Sequence, residues 1–563
     1  MALLSAALSL ILALLGGTLL YSGVCLFRNY LRALKFGLPI RILLIDHVNP
    51  FWLVVDRKVV SLVKRLPFGL GNNSFTRYSF RGWEVPDRYS SHHEMGDAYV
   101  LVSYGYIWLY LADPDLVSDI LRRANEFPRD TSVTAILDVF GPNISTVSTR
   151  KLTVIYRPWS SRTHAAQGTQ WQKHRRITAS SFNDQNNVIV WSESVTVAHD
   201  ILKYWTSKPA IQTTADDLRT LSLHVMSRAG FGRSSKFQSQ EESEAAESSG
   251  GMSYQNALKM ILENCVLIFA LGRKTLAHSW LPRKLQRLDK ACISFQNHMT
   301  QVYEEEKRFV AEGKKTDRNF MASLIYGNMF TFNFAGHDTT AHTFTFALYF
   351  LAVNPGVQDW VCEEINHVMG QRPPEEWTSS DSTRLKRCLA VMYETLRLYT
   401  PVPTSKIIDG NLPRSLVIGN KTLVLPPKTM VVPSYSSMQT DPKYWGTDSL
   451  EWRPSRFISS PTQSGTSAQA LDGEEFITPR KGIFLAWSGG PRDCVGRKFS
   501  QVEFVAVMAS LFREWRVKPV LAEGETAEDA RERVLDQIET DSAPVLLLQM
   551  LHPERCPLTW EKR

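Results

Sequence analysis

The polarity of the chain changes abruptly at Arg28. Residues 2–27 contain no charged side chain, and about 20 apolar residues suffice to cross a bilayer as a helix. Arg28, Arg32 and Lys35 follow at once, whereas nothing basic but the amino terminus precedes. The positive-inside rule then leaves the rest of the chain on the cytoplasmic side. A cleaved signal peptide would need a basic leader and an apolar core of about 7–15 residues, and this stretch has neither. Residues 37–55 are apolar again but interrupted by Arg41, Asp46, His47 and Pro50. Two readings stay open there, a segment dipping into the interface and a poor second span. Lys64-Arg65-Leu66-Pro67 and the Gly/Asn-rich stretch to Asn73 form a linker pattern, so the globular part is expected to begin near Ala98.

From Ala98 the period of the pattern changes. Residues 98–103 and 107–112 are rich in β-branched and aromatic side chains and are split by a short Tyr-Gly turn, which predicts a hairpin. Asp113-Pro114 supplies the N-cap and first residue of a helix reaching Arg123. Helical patterns then dominate, over 188–206, 216–229, 254–271, 285–312 and 328–353, and short strands return at 416–424. Residues 238–251 are Ser/Glu-rich without periodicity, the mark of a loop. The expected fold is mainly α with small β-sheets behind an N-terminal transmembrane helix. It divides into an anchor at 1–27, a juxtamembrane segment and linker at 28–97, and one large domain at 98–563.

Composition adds three constraints. A chain of 563 residues with 44% hydrophobic content can bury a large core. The seven cysteines are scattered without paired spacing, which argues against a disulfide framework and for a reducing compartment. The net charge of +8 suits an anionic membrane surface or an acidic protein partner. The basic residues are dispersed, so nucleic acid is not the expected partner.

The chemistry centres on Trp487-Ser-Gly-Gly-Pro-Arg-Asp-Cys-Val-Gly496. Glycines and a proline bend such a loop tightly and let its backbone approach a flat group. Arg492 and backbone N–H groups favour the thiolate of Cys494. No second cysteine stands at zinc spacing, whereas one thiolate on an open loop suits a haem iron. The loop resembles the haem-binding signature of the cytochrome P450 family, Phe-x-x-Gly-x-Arg-x-Cys-x-Gly. Gly490, Arg492, Cys494 and Gly496 fall in register and Trp487 replaces the phenylalanine.

Four further motifs occur in the family's order. Ala335-Gly-His-Asp-Thr-Thr340 lies in the long apolar helix pattern. Gly336 and a back-bonding Thr339 lead us to expect a distorted turn, with an acid and a hydroxyl facing one pocket. It is similar to the family's oxygen-activation motif, which assigns proton delivery to Asp338 and Thr339. Glu394-Thr-Leu-Arg397 places opposite charges on one helix face, and the resemblance adds Arg456 of Pro454-Ser-Arg-Phe457 as the third member of a structural triad. Trp171-Gln-Lys-His-Arg175 puts an indole and a guanidinium one turn apart, as in the family's propionate-binding helix. Lys173, Arg176, Arg497 and Lys498 would then form a basic rim for an acidic redox partner. Pro401-Val-Pro-Thr-Ser-Lys406 follows as the family's substrate-facing strand does.

Two stretches depart from the family pattern. Residues 147–167 interrupt it with a basic, patternless run. Val147-Ser148 can be encoded by GTGAGT and Gln167 by CAG, the ends of an intron. We read the run as a translated intron, with a surface insertion as the alternative. The connection around 319–330 is also shorter than relatives have.

The resemblance implies a haem-thiolate monooxygenase with haem b held by Cys494, Trp171, Arg175, Trp487, Gly490, Arg492 and Gly496. It would be a single-pass protein of the endoplasmic reticulum membrane with a cytosolic catalytic domain. Electrons would come from NADPH through a separate cytochrome P450 reductase, with cytochrome b5 as an accessory donor. The substrate would be a hydrophobic small molecule, such as a terpenoid or another fungal secondary metabolite. The alternatives are a haem-thiolate isomerase or peroxygenase that needs no reductase, and a non-catalytic haem- or ligand-binding membrane protein.

Overall fold

The structure, a computed structural model, describes residues 2–46, 49, 52–129, 140, 171–172, 175–176, 178–179, 182–232, 237, 252–264, 267–268, 271–312, 326–402, 404–408, 412–459 and 467–563. In chain order the elements used below begin with α1 (Ala2–Leu34), β1 (Ile40–Ile42), α2 (Trp52–Lys64), α3 (Ser74–Tyr78), β2 (Ala98–Val102), β3 (Ile107–Leu111) and α4 (Pro114–Arg122). The helices α5 (Asp184–Thr206), α6 (Thr214–Phe231), α7 (Tyr254–Glu263), α8 (Arg283–Ala311), α9 (Tyr326–Val353), α10 (Pro355–Met369) and α11 (Lys386–Leu398) follow. Next come β4 (Lys406–Ile407), β5 (Arg414–Ile418), β6 (Lys421–Leu425), β7 (Thr429–Pro433) and α12 (Arg497–Phe512). The chain ends with β8 (Trp515–Pro519), α13 (Ala527–Thr540), β9 (Ser542–Pro544), β10 (Leu548–Met550) and β11 (Leu558–Lys562). They gather in two compact units, one of residues 1–133, 403–449 and 480–493, the other of 134–402, 450–479 and 494–563.

The first unit is built on a five-stranded sheet of order β1-β2-β3-β7-β4. The β2–β3 hairpin lies where the alternation places it, with Val100 opposite Leu109. Successive side chains of a strand point to opposite faces, and here both faces are covered. Val100, Val102, Leu109 and Leu111 pack with Val117, Ile120 and Phe127 on one side. Tyr99, Leu101, Trp108 and Tyr110 pack with Leu43, Tyr78 and Trp83 on the other. Burial on both faces is why these runs are continuously apolar. Asp113 caps α4 by accepting from the Leu116 N–H at 2.7 Å.

Three expectations for the N-terminal part change. Within 37–55, open in the sequence between an interfacial dip and a poor second span, Ile40–Ile42 pairs parallel to β2. Asp46 in this segment is buried and accepts from the Ser103 hydroxyl. The linker is short: Asn73 caps α3 through the Thr76 N–H, and Tyr78 and Trp83 meet edge to face at 4.8 Å. Folded structure therefore begins at β1 and not at Ala98. The apolar helix also runs past Phe27 to Leu34. Buried Asn29 near its end donates to the carbonyls of Ser103 and Tyr104 at 3.0 and 3.2 Å. Among the described residues, Leu12–Leu34 is the one stretch long and apolar enough to cross a membrane, and Leu12, Leu19, Leu20 and Phe27 on it are exposed.

The second unit is mainly helical. From Phe330 to Val353 every residue of α9 is buried except Ala335, Gly336 and Thr339, and Val502–Phe512 of α12 is buried throughout. Helices apolar all round belong to a core. Helix α9 packs on α6, and α5 packs on both α6 and α12. The antiparallel β8–β11 pair carries Trp560, which stacks on Trp205 of α5 at 5.4 Å. The helix expected over 254–271 is interrupted after Glu263, and helical residues recur at 267–268 and 271. Its C-cap, Asn264, donates its side-chain amide to the Met260 carbonyl at 2.9 Å, competing with the backbone ladder. The loop at 238–251, the run 147–167 and the connection 319–325 lie outside the described residues.

Glu503, in the middle of α12, is fully buried. Neither carboxyl oxygen has a hydrogen-bond partner among the described residues. Burial pushes its pKa up to about 8, against an opposing pull from the Ser222 hydroxyl. The folded chain therefore holds a proton that the unfolded chain releases, and stability falls as pH rises from about 4.5 towards about 8. At about 1.36 kcal/mol for each pH unit crossed, the wild type should lose a few kcal/mol over that window relative to Glu503→Gln. Urea unfolding of both proteins at several pH values checks this. Parallel pH dependence would contradict it.

Candidate active site

The cysteine loop owes its shape to one close approach. Gly490 has φ +71°, and a Cβ there would lie 2.3 Å from the backbone oxygen of Leu121, so only glycine fits. Gly490–Arg492 makes a single 3-10 turn, and Gly496 is the N-cap of α12. Cys494 is exposed, whereas Cys25, Cys292, Cys362, Cys388 and Cys556 are buried. The Phe182 ring edge and the Cys494 sulfur each lie 3.8 Å from where a Gly496 Cβ would be. A sulfur just ahead of a 16-residue helix sits at the positive end of the helix dipole, which favours thiolate.

Trp487 and Arg492 belong to the first unit, where Trp487 packs on Phe484 with ring centroids 5.9 Å apart. Arg492 is buried beside two cations that the motifs did not single out for this role. Arg129 Nη2 donates to the Arg492 carbonyl at 2.9 Å, and the Arg129 and Lys406 backbones pair in an isolated antiparallel β-bridge. Burial, then Arg129 and Arg492, push Lys406 down to about 7. Burial and Arg129 push Arg492 down to about 10. An anion among these three groups would relieve their repulsion, and paired carboxylates match guanidinium forks. Lys406, expected on a substrate-facing strand, thus turns into the cationic cluster. The sequence signal for Arg129 is faint, a lone arginine after the buried Phe127.

In the second unit Trp171 and Arg175 lie half-buried on helical turns. Arg176, Arg497 and Lys498 are exposed, and Lys173 lies outside the described residues. Arg497 Nη2 donates to the Tyr393 hydroxyl at 2.9 Å. Gln501 donates to the same hydroxyl at 3.1 Å.

Glu394, Arg397 and Arg456 come together. Arg397 forks onto Glu394, Nε to Oε2 at 2.7 Å and Nη2 to Oε1 at 2.9 Å. Arg456 Nε and the Arg453 N–H reach Oε1 at 2.9 and 2.7 Å. Arg397 Nη2 also donates to the Glu451 carbonyl at 3.1 Å. The Glu394 and Arg397 side chains are 0% exposed, a burial that only full satisfaction of the charges supports.

The expected distorted turn is absent from α9, which is continuous α-helix through Gly336. Gly336 serves close packing instead, since a Cβ there would come within 2.8 Å of Met226 Sδ on α6. Thr339 does bond back, to the Ala335 carbonyl at 2.7 Å. Asp338 and Thr339 do not share a face, because consecutive residues of a regular helix point about 100° apart. Ala335, Gly336 and Thr339 form the partly exposed stripe. Asp338 instead lines a cavity of about 320 Å³ with Asp216, Arg219, Lys259, His342 and Gln549. Arg219 Nε donates to Asp338 Oδ1 at 3.2 Å, and His342 Nε2 lies 3.4 Å from the same oxygen. Burial opposes ionisation of Asp338, but His342, Arg219 and His337 outweigh it and hold its pKa well below the usual carboxylate range. Arg219, Lys259 and Gln549 are not signalled by any motif.

A mainly helical protein with small sheets, an exposed cysteine at a helix N-terminus and a buried Glu-Arg-Arg network defines the class. Comparison with known proteins agrees: the sequence model of the cytochrome P450 family matches residues 89–541, and the chain belongs to that family. A cytochrome P450 monooxygenase of Arthrobotrys oligospora is 25% identical over 90% of both chains. One of Penicillium rubens is 26% identical over 84% of both. The phomenoic acid biosynthesis cluster cytochrome P450 monooxygenase of Leptosphaeria maculans is 28% identical over 90% of both. A bifunctional cytochrome P450/NADPH–P450 reductase of Aspergillus oryzae is 30% identical over 36% of this chain and 17% of its own length. The protein is accordingly an oxidoreductase of the cytochrome P450 monooxygenase type, and haem and iron follow from the family.

Removing one partner of a fully buried ion network leaves uncompensated charge, at a cost of about 3–5 kcal/mol. Glu394→Ala should therefore destabilise the fold by that amount, measured by urea unfolding. A loss below about 1 kcal/mol, typical of exposed pairs, would contradict the brace.

Proposed function

We propose that this chain is a membrane-anchored haem-thiolate monooxygenase that inserts one oxygen atom of O2 into a hydrophobic small molecule. The observation that carries the reading is Cys494, the exposed cysteine among the described ones, placed ahead of the α12 N-terminus. Haem, when bound, supplies the oxygen activation, and a thiolate ligand favours O–O cleavage.

Cys494 would hold the iron. The convergence of Arg129, Lys406 and Arg492 suits carboxylate side chains of the porphyrin, with Trp171 and Arg175 as further donors and Trp487, Gly490 and Gly496 shaping the loop. The partly exposed Ala335–Gly336–Thr339 stripe offers a flat approach. Thr339 spends its proton on the Ala335 carbonyl, which leaves its oxygen to accept from a water on that stripe. Asp338 would carry protons inward from the cavity behind α9. Glu394, Arg397 and Arg456 would brace the helix next to α12.

Electrons would come from NADPH through a separate reductase, with cytochrome b5 as accessory donor. The Aspergillus oryzae relative combines both functions, and this chain aligns with a small share of it. The apolar stretch Leu12–Leu34 would anchor the protein once in the endoplasmic reticulum membrane with its catalytic domain in the cytosol. The Leptosphaeria maculans relative is named for a biosynthesis cluster, which favours a fungal secondary metabolite, such as a terpenoid, as substrate.

Reconstitution with a reductase, NADPH and a panel of sesquiterpenes and fatty acids tests this. Oxygenated product should require all three components. Thr339→Ala should keep NADPH consumption while product falls by at least about tenfold and peroxide rises. Product formation independent of NADPH and reductase, or full coupling in Thr339→Ala, would overturn the reading.

A further inference from the structure

The cavity behind α9 contains an arginine shared among three acceptors. Arg219 Nε donates to Asp338 Oδ1, Nη1 to Asp216 Oδ1 and Nη2 to Gln549 Oε1, each at 3.2 Å. Asp216 Oδ1 is fixed in turn by Lys259 Nζ at 2.9 Å. Arginine–carboxylate pairs are commonly forked, with two parallel N–H···O bonds. This one is not, because Asp216 and Gln549 draw both Nη groups away. His342 also approaches Oδ1. Asp338 Oδ2 therefore has no protein hydrogen-bond partner among the described residues, although Asp338 lines the cavity. Gln549 belongs to β10, and the turn before it brings Val545 and Leu546 to the same cavity wall.

We propose that Gln549 is a positioning residue that keeps Arg219 from forking onto Asp338, leaving Oδ2 open to water in this cavity as the point where protons enter. A proton arriving from solvent along the cavity water is taken up by Oδ2, which leaves that water neutral and makes Asp338 neutral. Loss of the proton towards the Thr339 side restores the carboxylate. No electron moves in this step. The surrounding charges suit the role: Asp216 with Lys259 and Arg219 keeps the cavity wall ion-paired, while burial pushes His342 down against the pull of Asp338. The inference rests on the proposed role of Asp338 in proton delivery, and it adds the residue that keeps the carboxylate accessible.

Gln549→Leu removes the acceptor and frees Nη2 to reach Oδ2, whereas Gln549→Glu keeps an acceptor at the same place. NADPH oxidation with reductase and O2 should slow about three- to tenfold in Gln549→Leu and show a larger H2O/D2O rate ratio, with both returning towards wild type in Gln549→Glu. Infrared spectra of the same proteins supply a readout independent of turnover. The carboxylate stretch lost in Asp338→Asn should move in Gln549→Leu and return in Gln549→Glu. Wild-type rates and an unmoved band in Gln549→Leu would overturn the proposal, as would a Gln549→Glu variant as slow as Gln549→Leu, since that would mark a packing role. If Asp338→Asn itself left the rate and isotope ratio unchanged, the relay role of Asp338 would fall, and this inference with it, even with the band shift present.

Discussion

One buried carboxylate orders the helical unit. Glu394 takes the Arg397 fork, a single bond from Arg456 Nε and a backbone N–H while shut off from solvent. A charge in that position is tolerable only when each of its partners is in place. The arrangement therefore fixes the segment around Arg453 and Arg456 against α11. Tyr393, the residue before it, receives Arg497 and Gln501 from the first two turns of α12. The register of α12, and with it the position of Cys494 ahead of its N-cap, is thus tied to the same ion network. Chemistry at the sulfur depends on a charge balance that never touches it.

The two faces of α9 divide the remaining work. One stripe is small and partly open, made by Ala335, Gly336 and the back-bonded Thr339. The other carries the Asp338 carboxylate and the His342 imidazole towards a polar cavity walled by α6, α7 and the β9–β10 hairpin. A regular helix makes this separation without distortion, because adjacent side chains diverge by about 100°. Acid and hydroxyl adjacent in sequence therefore address different spaces, and a proton passing between them must go round the helix or through it.

How much of this is legible in the sequence depends on the range of the interaction. The β2–β3 hairpin, the Asp113 cap and the long α9 follow from local alternation, capping and periodicity, and they lie where those patterns place them. The segment before Ala98 misleads because Arg41 and Asp46 look like interruptions, whereas Arg41 leaves its side chain exposed on a strand paired to β2 and Asp46 finds the Ser103 hydroxyl. The helix break at Asn264 escapes notice because a side chain bonding to its own helix leaves little trace in a hydrophobic pattern. Arg129, Arg219 and Gln549 belong to no motif, since each acquires its role from residues far away in the chain. Lys406 stands out in the sequence but with the wrong direction, for a two-residue strand does not reveal which side chain turns inwards.

The central claim is that Cys494 presents a thiolate to a haem iron, and the carbon monoxide difference spectrum of the dithionite-reduced protein tests it most directly. The wild-type chain should give the strongly red-shifted band of a thiolate-ligated haem, and Cys494→His should replace it with the shorter-wavelength band of a nitrogen-ligated one. A protein that binds no haem, or one whose thiolate-type band survives loss of Cys494, would contradict the account.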